Sequence, residues 1–194
     1  MKICWFKIAV IGLALALQAC AMKPQEIRLD PEVKVSNSTS GGGRVVGVEA
    51  HDERQSKLLG VVGAPETRHT EISSTEDAAP AIYIRVAASL KSQGFTVKPA
   101  ADGDDRVLRV EVTDLKYQTT KGSGVTDEVQ VTATVNGRAR NRDEWHDRQF
   151  TVTQKKSVGV LPGSEENTRF VNEAVAQALK DMLSDPTLIE LLSK

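Results

Sequence analysis

Hydrophobic and polar residues alternate in several short runs after residue 26, which is the pattern of strands buried on one face. The clearest run is Leu108, Val110 and Val112, with polar residues between them. On this basis strands are predicted at 27–35 with a break at Pro31, at 45–50, 71–73, 95–99, 108–117 and 129–135, and from Phe150 onwards.

The longest strand changes phase in its middle, because Leu115 and Tyr117 become the buried candidates after Asp114. One extra residue at 113–114, a β-bulge, explains this reversal. Further along, Asn136-Gly137 is a strong signal for a tight turn. The pattern does not define the path of residues 61–77, which are predicted to form a long loop with one short strand. It does not define the path of the charged stretch 138–148 either.

Two segments carry hydrophobic residues at helical spacing instead. In the first, Ile82, Val86 and Leu90 lie on one face; a helix is predicted to begin at 78–80, with Pro80 in its first turn, and to end at Gly94. The second begins at Ser164, a suitable N-cap. Its buried candidates share one broad stripe: Phe170, Val171, Ala174, Val175, Ala178, Leu179, Met182 and Leu183.

The order of these elements predicts the fold class. Asp185-Pro186 ends the second helix and starts a shorter one at the C-terminus. Strands followed by a helix, twice over, predict an α+β domain. We expect a two-layer sandwich, with a largely antiparallel or mixed sheet and two main helices on one face, plus the short C-terminal helix.

The N-terminus has the character of a removable leader. Lys2 and Lys7 precede and flank an apolar run at 8–17, which is too short to span a bilayer as a helix. The next residues, Leu17-Gln18-Ala19-Cys20, resemble the lipobox of bacterial lipoproteins. This resemblance implies a signal peptide at 1–19 and fatty acylation of Cys20, followed by a tether at 20–26 and one periplasmic domain at 27–194.

The number of acyl chains decides how firmly such a protein is held, since one chain binds a membrane marginally and two bind it stably. Ala21 stands where an Asp would retain a lipoprotein at the inner membrane, so the resemblance implies the periplasmic face of the outer membrane. The alternative is a soluble secreted protein cut before Cys20.

Composition narrows the chemistry. The chain has 25 basic and 26 acidic side chains, and the leader removes two lysines, so the processed protein has a net charge of about −3 and no electrostatic reason to bind nucleic acid. Its two cysteines are Cys4 in the leader and Cys20. The folded domain therefore has no disulfide, thiolate nucleophile or cysteine metal site.

The sequence shows no group of residues with the spacing of a catalytic, metal-binding or cofactor-binding site. His51, His69 and His146 are scattered, and none has a second histidine at metal-ligand spacing. His51 is next to Asp52 in a strand, where adjacent side chains point to opposite faces. We therefore predict a protein that is not an enzyme and needs no cofactor.

Two places are candidate contacts for a partner. Asp52 and Arg54 are either a recognition pair or an ion pair that stabilises a turn. Trp145 lies among the arginines of 138–148, where exposed Trp and Arg favour an interface. The alternative is a hairpin whose Trp145 packs on its own sheet.

Several short motifs resemble the YajG family of bacterial lipoproteins. They are Ile27-x-Leu29-x-Pro31, Val46-x-Val48 leading to Asp52-x-Arg54 and Leu59-Gly60, Leu90 to Gly94-Phe95, and the closing runs 174–183 and 185–192. The charged stretch 138–148 departs most from the pattern. The resemblance implies an outer-membrane lipoprotein and brings no catalytic residues.

Three functions follow as hypotheses. The first is a membrane-anchored, non-enzymatic interaction or accessory module whose partner is an envelope protein or peptidoglycan. The second is a lipid or glycolipid carrier, or a transport-auxiliary lipoprotein, with an apolar pocket between the long helix and the sheet that is gated by the loop 158–163. The third, a hydrolase, needs His51 or His146 beside a carboxylate and a hydroxyl.

Overall fold

The computed structural model describes residues 23–63, 69–122 and 124–194. The predicted leader and Cys20 lie outside these residues, as does part of the long loop. The described strands are β1 (Gln25–Glu26), β2 (Val45–Asp52), β3 (Leu58–Val62), β4 (Thr70–Ser73), β5 (Thr96–Pro99), β6 (Arg106–Lys121), β7 (Asp127–Asn141) and β8 (Glu144–Val158). The described helices are α1 (Ala79–Ser92), α2 (Ser164–Leu183) and α3 (Pro186–Ser193).

Strand β6 organises the sheet. On one side it pairs antiparallel with β7 over its whole length, and β7 pairs antiparallel with β8. On its other side β6 is shared, because its first half pairs parallel with β2 and its second half meets β3 at Gly60 opposite Tyr117. The sheet continues outwards through β5 beside β2, and through β4 and β1 beside β3.

The helices cover one face of this mixed sheet, which confirms the predicted α+β sandwich. Helix α1 buries Ile82, Val86 and Leu90 completely, as its spacing predicts, and packs on β2. Helix α2 packs on β7 and β8, and all eight residues of its predicted stripe are buried. Both helices and the sheet share one hydrophobic core.

The predicted β-bulge is confirmed. Pairing between β6 and β7 jumps from Val112 opposite Val135 to Asp114 opposite Thr134, which leaves Thr113 as the extra residue. Leu115 and Tyr117 are therefore buried on the same side as Val112, although they differ from it in sequence parity.

The turn predicted at Asn136-Gly137 is wrong. Strand β7 continues through both residues to Asn141, and the chain turns at 142–143, where Arg142 adopts a positive φ of 54°. A Cβ on Gly137 would lie 2.7 Å from Met182 Sδ and 3.2 Å from Leu188 Cδ1. The glycine therefore makes room for helices α2 and α3 instead of bending the backbone. Beyond the turn, 144–158 is the return strand β8.

Three other local predictions need correction. The strand expected at 27–35 is not formed, although Ile27 and Leu29 are buried as predicted. The two-residue strand β1 ends just before this range. Strand β3 occupies the start of the predicted long loop, whose short strand is confirmed as β4. Ser164 is the first residue of α2, whose N-cap is Gly163 and makes no side-chain hydrogen bond. Neighbouring strands and packing decide such boundaries.

We expect Gly137→Ala to lower the free energy of unfolding by about 1–3 kcal/mol, because the added methyl group overpacks the contact with Met182. Urea unfolding of the folded domain measures this change. Gly159→Ala is the control, since no atom lies within 4 Å of a Cβ built there. If Gly137 were needed only for its backbone geometry, Gly137→Ala would lower the free energy of unfolding by the same amount in the native domain and in a Met182→Ala domain. A smaller loss in the Met182→Ala domain supports the packing explanation.

Candidate interaction surface

The face of the sheet opposite the helices is polar and carries no helix among the described residues. In β6, Leu108, Val110 and Val112 point into the core, so Arg109 and Glu111 point to the other side. We call this surface the open face. Its residues on β2, β6, β7 and β8 include Glu49, His51, Arg109, Glu111, Thr132, Thr134, Asn136, Arg138, Asp147, Gln149, Thr151 and Thr153.

A charged row crosses four strands of the open face. The register places Glu49 beside Arg109, Arg109 beside Arg138, and Arg138 beside Asp147. Arg138 Nη2 lies 2.6 Å from Asp147 Oδ2, and Arg109 Nε lies 2.7 Å from Glu111 Oε1. The hydrogen bond to Asp147 raises the pKa of Arg138. Two neighbouring arginines are thus held between carboxylates.

A second row lies next to the first and includes His51, Glu111, Asn136 and Gln149. Asn136 Nδ2 donates to Glu111 Oε2 at 3.4 Å. His51 Nε2 is 3.5 Å from Glu49 Oε2 without forming a hydrogen bond, and no hydroxyl in the described chain hydrogen-bonds to His51. The carboxylate that the hydrolase hypothesis needs beside His51 is therefore present, but no hydroxyl of the described residues is hydrogen-bonded to His51 as a nucleophile.

Hydroxyl groups extend the open face beyond the charged rows. Thr134 and Thr151 face each other with oxygens 3.2 Å apart, and Thr132 and Thr153 do so at 3.1 Å. Cross-strand threonine pairs stabilise a solvent-facing sheet, and β6 places Asp114 beside Thr134 and Lys116 beside Thr132 on the same face. The open face thus has the two charged rows at one end and, towards the other end, the threonine pairs with the Asp114–Lys116 ion pair.

Trp145 lies at the charged end of the sheet, on the hairpin that joins β7 to β8. It pairs with Arg140, whose Nη2 donates to the carbonyl oxygen of Asp104 at 2.9 Å. The indole of Trp145 is 69% exposed, so it is not packed into the sheet. Exposure makes this tryptophan available to a partner, and the contact itself stays a prediction.

Asp52 and Arg54 form an internal ion pair. Arg54 Nε and Nη2 donate to the two carboxylate oxygens of Asp52, each at 2.7 Å, and the side chains are 1% and 3% exposed for Arg54 and Asp52. Burial alone would raise the pKa of Asp52. Hydrogen bonds from Arg54, Lys57 and the Ala78 backbone N–H instead hold it well below its usual range. This geometry favours the turn-stabilising interpretation over a recognition pair.

A groove of about 710 Å³ opens beside the bulge of β6, where β2 and β3 diverge. Its walls come from 53–56 and from Leu58, Leu59 and Gly60, and its floor includes Thr113 and Asp114. Gln149 lines the groove and belongs to the open face, so the groove adjoins that surface. The bulge therefore creates a concave, mixed polar and apolar recess next to a flat face.

The space proposed for a lipid pocket, between α2 and the sheet, is occupied by side chains. Val171, Ala174, Val175 and Leu179 have no exposed surface.

His146 Nε2 has no hydrogen-bond partner, and the described residues contain no group of His, Asp and Glu arranged to hold a metal ion. Within the same residues, no helix has the length and apolar character needed to cross a bilayer.

Sequence reasoning identified Trp145 but missed the charged rows. Each residue of the charged rows occupies a polar position in a strand of alternating polar and apolar residues. Such a position indicates only that the side chain faces solvent. The register of four strands brings Glu49, Arg109, Arg138 and Asp147 together from positions almost 100 residues apart, and no spacing along the chain reveals it. The misplaced turn at Gly137 would also have removed Arg138 from the sheet.

Comparisons with known proteins support the fold and a family. A family model described as "Uncharacterized lipoprotein" matches residues 31–193. No curated protein matches the chain. Among solved structures, an uncharacterized protein is 16% identical with a TM-score of 0.51, covering 82% of this chain and 97% of its own.

Two further structures are similar. A DUF330-family protein from Xanthomonas campestris is 15% identical with a TM-score of 0.52, covering 89% of this chain and 96% of its own. A minor lipoprotein from Acinetobacter baumannii is 15% identical with a TM-score of 0.42, covering 78% and 94%. At such low identity, the two structures with TM-scores above 0.5 show the fold alone.

We expect Asp52→Ala to lower the free energy of unfolding at neutral pH by about 3–5 kcal/mol, because it leaves the buried guanidinium of Arg54 unpaired. Because the folded pKa of Asp52 is depressed, its contribution is complete above its unfolded pKa and disappears as the pH falls through the folded value. The unmodified domain should therefore lose stability below about pH 4, and Asp52→Ala should show less of this loss.

Urea unfolding across this acidic range makes the measurement. The matched control is Asp114→Ala, because Asp114 pairs with Lys116 at the surface, where such pairs contribute about 0–1 kcal/mol. Removing both charges with Asp52→Ala and Arg54→Met should recover part of the loss. An Asp52→Ala domain as stable as the Asp114→Ala control would contradict a structural role for the pair.

Proposed function

Since the chain belongs to the family of uncharacterized lipoproteins whose model matches it over residues 31–193, we propose that it is an outer-membrane-anchored accessory protein of the cell envelope. It binds an envelope protein through the open face and has no enzymatic role of its own. The family match confirms the resemblance to YajG-like lipoproteins that the sequence motifs indicated.

The anchor is supported by the lipobox and by the family description together. A leader of the observed length and polarity precedes Leu17-Gln18-Ala19-Cys20, and acylation of Cys20 would attach the domain stably. Ala21 in place of Asp supports the periplasmic leaflet of the outer membrane. A protein fixed there meets its partners in the periplasm.

One observation carries the interaction role: a four-stranded polar face that no described helix covers. Its arginines are half-exposed and oriented by carboxylates, with Arg109 36% and Arg138 51% exposed. Arginine held in place loses little entropy on binding and forms paired hydrogen bonds with carboxylates. With the exposed Trp145 at one end, this surface has the residue types that protein interfaces favour.

A protein partner fits this face better than a catalytic substrate. The first charged row places two arginines between two carboxylates, and such a pattern suits a partner surface with complementary charges, which improves the rate and specificity of association. The charged rows include no hydroxyl hydrogen-bonded to His51, and the buried pair Asp52–Arg54 is inaccessible to a substrate. These features support an interaction module over a hydrolase.

We expect Cys20→Ser to release the protein from the membrane fraction, because a serine cannot form the thioether that carries the acyl chains. Cell fractionation followed by intact-mass measurement tests this outcome, and the unmodified protein should carry the added mass of its acyl groups. Cys4→Ser is the matched control, since Cys4 leaves with the leader. Membrane retention of Cys20→Ser, or an unacylated native protein, would refute the anchor.

We expect a photo-crosslinking amino acid at Thr153 or Trp145 to capture a specific envelope protein in intact cells. Thr153 is exposed on the open face, and Trp145 lies at its end. The same probe at Ala88, exposed on helix α1, is the control for random contacts. Mass spectrometry identifies the captured species.

Charge reversal provides a second measurement. Arg138→Glu should reduce capture from Thr153, because it destroys the arginine pair on the open face and repels a carboxylate partner. Capture from Ala88 as strong as from Thr153 would contradict the assigned face. Glycan adducts in place of protein adducts would identify peptidoglycan as the partner.

A further inference from the structure

The direction of the strands shows where the tether enters the domain. Strand β1 is parallel to β4, β4 is antiparallel to β3, and β3 is parallel to β6. Strand β1 therefore runs opposite to β6. Residues that precede Gln25 approach from the end of the sheet at which β6 finishes, and we call this the tether end.

Gln25 is fixed to the tether end by a buried polar network. Asn167 Nδ2 donates to Gln25 Oε1 at 2.7 Å and to the carbonyl oxygen of Pro162 at 3.1 Å. The hydroxyl of Tyr117 donates to Asn167 Oδ1 at 2.7 Å, and burial raises the pKa of Tyr117 to about 12, which keeps this donor protonated. The start of the domain is thus tied to the loop before α2.

The two most exposed large apolar side chains of the described residues lie at this same end. Val125, between β6 and β7, is 98% exposed, and Val160, between β8 and α2, is 85% exposed. Asp127 of β7 pairs with Val158 of β8, so each valine lies two residues beyond a pair of neighbouring strands. Both valines therefore leave the sheet in the same direction as the tether.

Chain length brings this end to the bilayer. Four residues separate Cys20 from Gln25, and the five steps from Cys20 to Gln25 span at most about 18 Å when fully extended. We propose that Val125 and Val160 insert into the periplasmic leaflet of the membrane that holds Cys20, as a second contact that orients the domain. This inference rests on the proposed acylation of Cys20.

The charges near the valines are mixed, so the contact is apolar in origin. Lys121 and Glu165 are exposed, and Lys156 lies 2.6 Å from Glu166, where it neutralises that carboxylate. Such a surface neither attracts nor repels anionic lipids strongly. Two exposed valines alone bind a bilayer weakly, and the acyl chains raise their effective concentration at its surface.

Docking of the tether end would also set the position of the partner surface. The strands β7 and β8 each have 15 residues. At a rise of about 3.3 Å per residue, they carry the hairpin with Trp145 up to about 45 Å away from the valines. The two charged rows of the open face would then project into the periplasm, while the threonine pairs lie nearer the bilayer.

Tryptophan fluorescence in vesicles tests the proposal on the full, acylated protein. After loss of the leader, Trp145 is the single tryptophan. Val125→Trp and Val160→Trp, each combined with Trp145→Phe, place the single tryptophan at the tether end. In vesicles of phosphatidylethanolamine and phosphatidylglycerol, brominated acyl chains should quench these two proteins about twofold or more, as for side chains buried at the headgroup boundary. Trp145 in the native protein should stay unquenched.

The second loop provides an internal control. In the Val125→Trp protein, Val160→Asp should reduce the quenching, because a carboxylate resists insertion. Val45→Asp should not, because Val45 is 48% exposed at the opposite end of the sheet. Flotation and intact mass are measured on every sample. Acylated, floating protein whose new tryptophans are quenched no more than Trp145 would overturn the docking alone, whereas protein without acyl chains would overturn both docking and anchor.

Discussion

Burial of one face of the sheet under two helices is the constraint on which the rest of the structure depends. Helix α2 places side chains such as Phe170, Leu179 and Met182 against β7 and β8, each worth about 1.5–3 kcal/mol of burial. Because successive residues of a strand point to opposite faces of the sheet, each residue that points into this core leaves its neighbours in the strand on the other face. The polar open face is therefore a direct consequence of how the core is built.

Strand β6 extends this buried face along the length of the domain. Its bulge at Thr113 restores the inward direction of Leu115 and Tyr117, so that a single long strand can line the core beside both β2 and β3. The same irregularity separates those two strands and opens the groove next to the open face. Gly137 then lets helices α2 and α3 approach β7 closely. Packing and surface features thus share the same causes.

Polar groups inside the domain stabilise its connections and leave the surface free for recognition. The Asp52–Arg54 pair joins the end of β2 to the start of the α1 region through Ala78, and the Tyr117–Asn167 contact joins the sheet to α2. The Asp52 carboxylate, the Tyr117 hydroxyl and the Asn167 amide each have hydrogen-bond partners, as burial requires. The half-exposed arginines of the open face differ, because one side of each guanidinium still faces water and can exchange it for a partner.

The amino-acid sequence by itself determined the fold class, both long helices and the bulge, because each depends on local periodicity. It left open whether Trp145 is exposed or packs on its own sheet, and the structure shows that it is exposed. It could not distinguish a glycine that turns the chain from Gly137, which accommodates Met182, since that difference lies in a contact between residues 45 positions apart. Nor could it align Glu49, Arg109, Arg138 and Asp147, or place Gln25 and Val160 at the same end of the sheet. Strand register and direction decide those neighbours, and only the folded sheet has them.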